Sequence, residues 1–397
     1  MWPSESDLEP LDSIIDQMNP IPGFPYPMKS AKNEGFPRSV GDPWIGAYTK
    51  NGYWFKLTCG GKDEWQEVAN EMWYRNEFLV GGKSFEVYKK AMGEEEEEER
   101  VKLLVAKNIR GEVLGLALLS HSQSSNFSYI GPIFVQEDFR HVGIGKTLMK
   151  EVMKNQKDIA FNAISYLLPT IGRFLLDPKL MRTIGRMRVK NPSGFASLKD
   201  SKTGIILKFG HQISVESDWN KIIEFGESCT NEKRNWKAFV EDQKVTEDNE
   251  DDNNNEEERN QLVAAFDEET NTCVGICVLR EIHNEDGHIP DLLVAPLYAK
   301  STGVAEILLQ KTLKKYYNSD DDYPFDIDHL AIYRRTTNFF VFSSSESLLF
   351  PLLKKLCGSE GKLEKDRLTY QTCSNFQLPA ISHEMILATS DPNIYLS

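Results

Sequence analysis

The chain has 397 residues, 40% of them hydrophobic and 27% charged, with a formal net charge of −14. That length suits two ordinary domains with their own cores, and the composition is that of a globular protein rather than a disordered or fibrous one. The acidic balance argues against nucleic acid as a main partner, because affinity there comes largely from cations that neutralise phosphates; it is compatible with a basic substrate.

No apolar run approaches the roughly 20 residues a membrane helix needs, and the N-terminus Met-Trp-Pro-Ser-Glu-Ser-Asp-Leu-Glu-Pro is unlike a signal peptide. No membrane is expected as a partner, and a cytoplasmic protein is, with the nucleus left open. Cys59, Cys229, Cys273, Cys277, Cys357 and Cys373 fall at no metal-like spacing, and the histidines show no His-x-x-x-His pairing. The expected state is reduced thiol, and no metal is expected.

Residues 1–50 form an arm rich in proline, expected to be extended and partly disordered, with aromatics able to pack back on a domain. From Trp54 the periodicity sharpens. Tyr53 to Cys59 reads as a strand, Asp63 to Phe78 as a helix and Ser84 to Met92 as another. The acidic run Glu94 to Glu99 follows, and a second run spans Glu247 to Glu258; both lack the apolar content to fold and read as solvated loops, or alternatively as an acidic docking surface for a cationic peptide or polyamine. Val101 to Lys107 and Val113 to Leu119 read as paired strands around the turn Asn108-Ile-Arg-Gly111.

Phe127 to Val135 is rich in aromatic and branched side chains and reads as a further strand. Glu137 and Asp138 end it. The loop Arg140-His141-Val142-Gly143-Ile144-Gly145-Lys146 then leads into a helix on which Leu148, Met149 and Val152 recur at helical spacing. Gly143 and Gly145 let the backbone adopt positive φ and come close to a ligand. The N–H groups of Val142 to Lys146, together with the positive helix end, can then point at one anion, with Arg140 and Lys146 adding mobile charge.

An Arg-x-x-Gly-x-Gly loop between a strand and an amphipathic helix resembles the acetyl-CoA loop of the GNAT superfamily of N-acetyltransferases, whose pattern is Gln/Arg-x-x-Gly-x-Gly/Ala. The resemblance implies an α/β fold with a mixed sheet flanked by helices. It also implies acetyl-CoA as co-substrate, with the pyrophosphate on Arg140, His141, Val142, Gly143, Ile144, Gly145 and Lys146. The backbone of Ile133, Phe134 and Val135 is expected to hold the pantetheine arm. The order of strand, two helices, three strands, loop and helix is that of the family, and Ile159 to Ile164 reads as the fifth strand. Beyond it the likeness blurs. Tyr166 to Leu176 reads as a helix started or interrupted at Pro169, and residues 180–203, rich in Arg and Lys, resist assignment.

A weaker copy follows: Asp291-Leu-Leu-Val294-Ala-Pro-Leu-Tyr-Ala-Lys300-Ser-Thr-Gly303 is again a strand and a loop before a helix, with Gly303 lying 160 positions after Gly143. A unit this long implies a duplicated domain rather than a solenoid. The second loop departs from the pattern: Lys300 stands for the Arg/Gln, and Val294 to Gly303 spans nine steps where Val135 to Gly143 spans eight. Around it, His211 to Glu216 reads as a strand, Asp218 to Ser228 and Glu232 to Val240 as helices. Gln261 to Asp267, Thr272 to Ile282 and His288 to Val294 read as strands, Val304 to Tyr317 as a helix and Asp328 to Tyr333 as a strand. Ser345 to Cys357 reads as a helix, with closing strands near Leu368 and Met385. The expected organisation is an arm (1–50), a GNAT domain with the acetyl-CoA loop (51–209) and a divergent GNAT-like domain (210–397). The pairing resembles the tandem-domain, YitH-like acetyltransferases.

Acetyl transfer to an amine needs a neutral amine, a stabilised oxyanion and protonation of the leaving thiolate. The family's thiol-protonating tyrosine maps at best to Tyr166, which reads first as a buried tyrosine without a catalytic role. Glu137 beside the loop and His121 at the end of the preceding strand are candidate bases, and both also read as ordinary surface residues. Two function classes stay open: an N-acetyltransferase acting on an amine of a small molecule or peptide, and an inactive coenzyme-A-binding or scaffold protein. Neither the acceptor nor the oligomeric state is readable from the chain.

Overall fold

The computed structural model describes residues 44–50, 53–74, 84–92, 100–122, 127–164, 179–190, 204–213, 215–232, 234–237, 261–282, 291–317, 338–344, 348–358, 361–373 and 385–388. In the first unit the strands are β1 (Trp44–Lys50), β2 (Tyr53–Gly60), β3 (Val101–Lys107), β4 (Val113–His121), β5 (Phe127–Val135) and β6 (Asp158–Ile164), and the helices α1 (Lys62–Tyr74), α2 (Ser84–Ala91) and α3 (Ile144–Met153). β7 (Lys179–Lys190) follows. The second unit has β8 (Ile205–Phe209), α4 (Glu216–Thr230), β9 (Gln261–Asp267), β10 (Cys273–Ile282), β11 (Asp291–Ala299), α5 (Thr302–Tyr317), β12 (Asn338–Ser344), α6 (Leu349–Cys357), β13 (Lys362–Cys373) and β14 (Ile386–Ala388).

The helices form because their apolar residues fall on one stripe. On α1, Trp65, Val68, Ala69 and Met72 are fully buried, and Trp65 stacks on Phe85 of α2 with ring centroids 5.7 Å apart. On α3 the stripe is Ile144, Leu148, Met149 and Val152, facing β4 and β5. Each such side chain contributes about 1.5–3 kcal/mol on burial, so this short helix is held by its packing rather than by intrinsic propensity.

The described strands join one sheet in the order β1-β2-β3-β4-β5-β6-β13-β7-β12-β11-β10-β9-β8, with β14 added beside β11. Its centre is a reciprocal exchange. β13, late in sequence, pairs antiparallel with β6 of the first unit, while β7, early in sequence, pairs antiparallel with β12 of the second; β7 and β13 pair with each other between them. On β7, Met187 and Val189 enter the second unit's core and Arg186 and Arg188 lie over Phe340, which is how a segment so rich in Arg and Lys forms a buried strand. The units also meet through α2. Val87 and Ala91 join the core of Trp219, Phe225, Trp236 and Tyr298; Arg280 Nη1 donates to the Tyr88 hydroxyl at 3.1 Å, and the Asn235 N–H to the Ala91 carbonyl at 3.0 Å.

Several boundaries differ from those read in the sequence. Trp44–Lys50, assigned to the arm, is a strand paired with β2. The second unit's opening strand is Ile205–Phe209 rather than 211–216, because the chain turns at Gly210 into a 3-10 turn closed by Gln212. The segment 234–237 ends in a turn and not a helix, with Trp236 packed edge-on against Tyr298 at 5.9 Å. β11 has Asn338–Ser344 as its parallel partner, a run of Phe and Val that the sequence reading passed over. The strand expected at 328–333 and the helix at 166–176 lie outside the described residues.

The two halves repeat in detail. β5 pairs antiparallel with β4 and parallel with β6; β11 pairs antiparallel with β10 and parallel with β12. The parallel ladder stops at Ile130 in one and Val294 in the other. Each antiparallel ladder shifts register just beyond, between Ala117 and Leu119 and between Cys277 and Leu279. Pro132 and Pro296 sit in those bulges, where the missing N–H costs no ladder bond. The strands therefore correspond at 164 positions, Ile130 to Val294 and Val135 to Ala299, which corrects the pairing of Val135 with Val294 by five residues while keeping both on equivalent strands.

Candidate functional site

Strand β5 delivers its last residues to a parting of the sheet. The ladder to β6 ends at Ile130↔Phe161, yet β5 runs on to Val135 and β6 to Ile164. Among the described residues no other strand takes over that edge of β5, so the two parallel strands bound a cleft lined by backbone. Ile133, Phe134 and Val135 stay paired with β4 on the opposite edge, through Ala117, Leu116 and Gly115. The Gln136 N–H donates to the Leu114 carbonyl at 3.0 Å on the β4 side, so by strand alternation the Val135 N–H faces the cleft. Phe134 is buried, and Ile133 and Val135 are half-buried.

Past Val135 a 3-10 turn over Glu137–Phe139 leads to the loop. Arg140 is not the free charge expected from sequence: its Nε donates to the Val135 carbonyl at 2.9 Å and its guanidinium lies 6.0 Å from the Phe134 ring centroid, so it ties the loop to the strand end. His141 has φ 68 and is exposed; Val142 is buried. Gly143, with φ 97 and ψ 3, is the N-cap of α3, a left-handed conformation that only glycine adopts without cost. Thr147 N–H donates to the Gly143 carbonyl at 3.0 Å and is the first amide to close a helical turn. The amides of Ile144, Gly145 and Lys146 therefore point outward from the helix end, as first-turn amides do. At Gly145 α3 lies beside the strand end, where a Cβ would stand at an ordinary 3.4 Å from Val135 Cγ2. Lys146 is exposed.

Seven of the expected cofactor residues, 140–146, thus form one loop and helix N-terminus, and Ile133, Phe134 and Val135 form the adjoining cleft edge. The parts fit a pyrophosphate attached to an extended amide-bearing arm: outward amides and a positive helix end for the first, a strand edge for the second. Glu137 is exposed on the 3-10 turn, at the loop end of β5. Tyr166 lies outside the described residues. His121 is drawn elsewhere. It pairs with Ser128 at the far end of β5, and its Nδ1 lies 3.0 Å from the Ser128 Oγ, which itself donates to Gln156 Oε1 at 2.6 Å. Burial, with Lys102 and Arg100 nearby, pushes its pKa down. Seven residues separate Ser128 from Val135, about 23 Å of strand, so His121 does not share a site with the loop.

What the sequence reading missed was Gly115, opposite Val135. A Cβ there would meet the Phe134 carbonyl oxygen at 2.6 Å, so this glycine lets β4 carry the bulged strand. Its signal was an unexplained glycine inside an apolar strand.

The second unit reproduces the strand and not the loop. The Lys300 N–H donates to the Val274 carbonyl at 2.9 Å, as Gln136 does to Leu114, and Gly275 stands opposite Ala299 as Gly115 does opposite Val135. The helices correspond at 160 positions, with Val304, Leu308, Leu309 and Thr312 buried where Ile144, Leu148, Met149 and Val152 are. Strands offset by 164 and helices by 160 leave a connection four residues shorter. Gly303 falls inside α5, which starts at Thr302, instead of capping it.

The buried thiols are inert: burial pushes Cys229, Cys273 and Cys277 up to about 12. Among the described residues no group of three or more His, Cys, Asp or Glu could hold a metal ion, and no helix is long and apolar enough to cross a membrane.

Residues 63–170 match the family model described as the acetyltransferase (GNAT) family. No curated protein matches the chain. Among solved structures, a Pyrococcus horikoshii protein assigned to the acetyltransferases is similar at 12% identity and TM-score 0.56, over 86% of this chain and 96% of that one. The N-myristoyltransferase of Saccharomyces cerevisiae, solved with bound myristoyl-CoA, is similar at 10% identity and TM-score 0.50, over 94% of this chain and 97% of that one. At such identities the likeness is one of fold. The match to the acetyltransferase (GNAT) family falls within the first unit, over residues 63–170, and what most of the chain shares with these structures is the fold.

Proposed function

We propose that the protein is an N-acetyltransferase that moves an acetyl group from acetyl-CoA to an amine of a small molecule or a peptide, with the donor held in the first unit. The observation that carries this reading is the continuity of the cleft edge at Ile133–Val135 with the outward amides of residues 144–146. A strand edge can hold the amides of a pantetheine arm, and the helix end beyond it can hold the pyrophosphate at the arm's other end. Acyl transfer then forms a C–N bond and breaks the C–S bond, the amine losing a proton and the thiolate gaining one. Glu137 is the proposed base and Tyr166 the proposed proton donor to sulfur. The proposed division at 51–209 and 210–397 is moved to take β1, Trp44–Lys50, into the first unit and β8, Ile205–Phe209, into the second, with the exchanged strands β7 and β13 joining them, and the proposed location is cytoplasmic.

The test is incubation with acetyl-CoA and a panel of small and peptide amines, with release of free thiol followed continuously and longer acyl-CoA donors run in parallel. Amine-dependent thiol release that Tyr166→Phe slows is the expected result. Turnover by Tyr166→Phe equal to wild type removes that residue from the mechanism, and no turnover with any amine favours the inactive coenzyme-A-binding alternative.

A further inference from the structure

The cleft that opens beside β5 has a counterpart beside β11, and there it is filled. The parallel ladder of β11 with β12 stops at Val294↔Val341, as that of β5 with β6 stops at Ile130↔Phe161. Beyond that point β14 pairs antiparallel with β11, Leu297 opposite Ala388 and Tyr298 opposite Ile386, on the edge away from β10. The Ala299 N–H donates to the Met385 carbonyl at 2.9 Å. Ala299 is the counterpart of Val135, so the amide that faces a cleft unfilled among the described residues in the first unit is taken by residue 385 in the second.

Two further observations at the same place agree. At the helix end that would face a pyrophosphate one first-turn amide is already taken from within, because Ser301 Oγ accepts from the Val304 N–H at 3.3 Å. The connection lacks the four residues that in the first unit build the 3-10 turn and present the Arg140-to-Gly143 loop. The strand edge, the helix cap and the loop length are independent features, and each removes a different part of an acyl-CoA site.

We infer that the second unit takes up no acyl-CoA, that its cleft is a strand-binding site filled in cis by residues 385–388, and that one chain carries one donor site. The inference rests on the reading of the first unit as the donor site. Main-chain bonding to an exposed strand edge is tolerant of side chains, which suits a segment whose role is to close a ladder.

The experiment uses the full chain and coenzyme A itself. Calorimetry is expected to give one site per chain, and the Gly143→Asp/Gly145→Asp variant none. Residue-level hydrogen exchange without coenzyme A is expected to show the Ala299 amide exchanging at least about tenfold more slowly than that of Val135, because among the described residues Ala299 alone of the two is bonded across its cleft. Coenzyme A is expected to slow Val135 and leave Ala299 unchanged. Two sites per chain, residual binding in the double variant, or slowing at Ala299 on addition of coenzyme A overturns the inference while leaving the first site intact. No binding at all by the wild type overturns the donor-site reading instead, and the strand occupancy then stands or falls on the Ala299 protection alone.

Discussion

Replacing Gly143 and Gly145 by aspartate tests the loop most directly. At Gly143, with φ 97, any side chain costs about 1–2 kcal/mol of backbone strain, small against the roughly 5–15 kcal/mol of a typical domain. At Gly145 a Cβ meets only Val135 Cγ2, at an ordinary 3.4 Å, so the fold should tolerate both changes. Binding should not. A carboxylate about 5 Å from a phosphate charge costs about 3 kcal/mol at an effective dielectric of about 20. Two such carboxylates, with loss of the helix-end attraction of about 0.3–1 kcal/mol, bring the penalty to at least about 4 kcal/mol, or about a thousandfold in Kd. Calorimetry with coenzyme A at fixed ionic strength measures it, and near-ultraviolet circular dichroism checks that the variant is folded. A folded double variant with affinity within about threefold of wild type would refute the assignment of the loop.

Gly303→Asp, an exposed change at the counterpart of Gly143, is expected to leave coenzyme A affinity unchanged in the same calorimeter. Arg140→Ala loses the bond to the Val135 carbonyl while the loop amides remain, and is expected to weaken coenzyme A by about 1 kcal/mol, five- to tenfold in Kd. His121 has a folded pKa below its unfolded value of 6.5, so the unfolded state binds the extra proton and stability falls as pH drops below about 6.5. His121→Gln should flatten that acid-side loss in urea titrations, and an unchanged slope would show that His121 does not contribute. In native protein Cys59, which is exposed, should react with a thiol reagent well before Cys229, Cys273 and Cys277, as peptide mapping of a timed alkylation would show.

The first loop was legible in the sequence because its chemistry is local: the positive-φ position at Gly143, the helix start behind it and the apolar strand before it all depend on neighbouring residues. The duplication was legible for the same reason, since an apolar strand, a break and a helical stripe recur whatever the chain folds against. The second loop was legible only as a departure from pattern. Its register, with Ala299 rather than Val294 in the place of Val135, is set by pairing with β10 and β12, partners far off in the chain. His121 was left beside Glu137 as a candidate because both flank β5 in sequence; a strand extends about 3.3 Å per residue, and the antiparallel turn places them at its two ends.

The exchange of β7 and β13 between the units could not be read from composition, because a strand's apolar alternation says that it needs a neighbour and not which one. Strand β14 is the sharpest case. Three residues near the C-terminus carry no motif, and only the tertiary structure puts their backbone on the edge of β11. What the sequence by itself determined was where the chain can bend, coil and present amides. Which of the two resulting clefts is filled, among the described residues, was decided by main-chain pairing between segments about ninety residues apart, a contact that no local pattern announces.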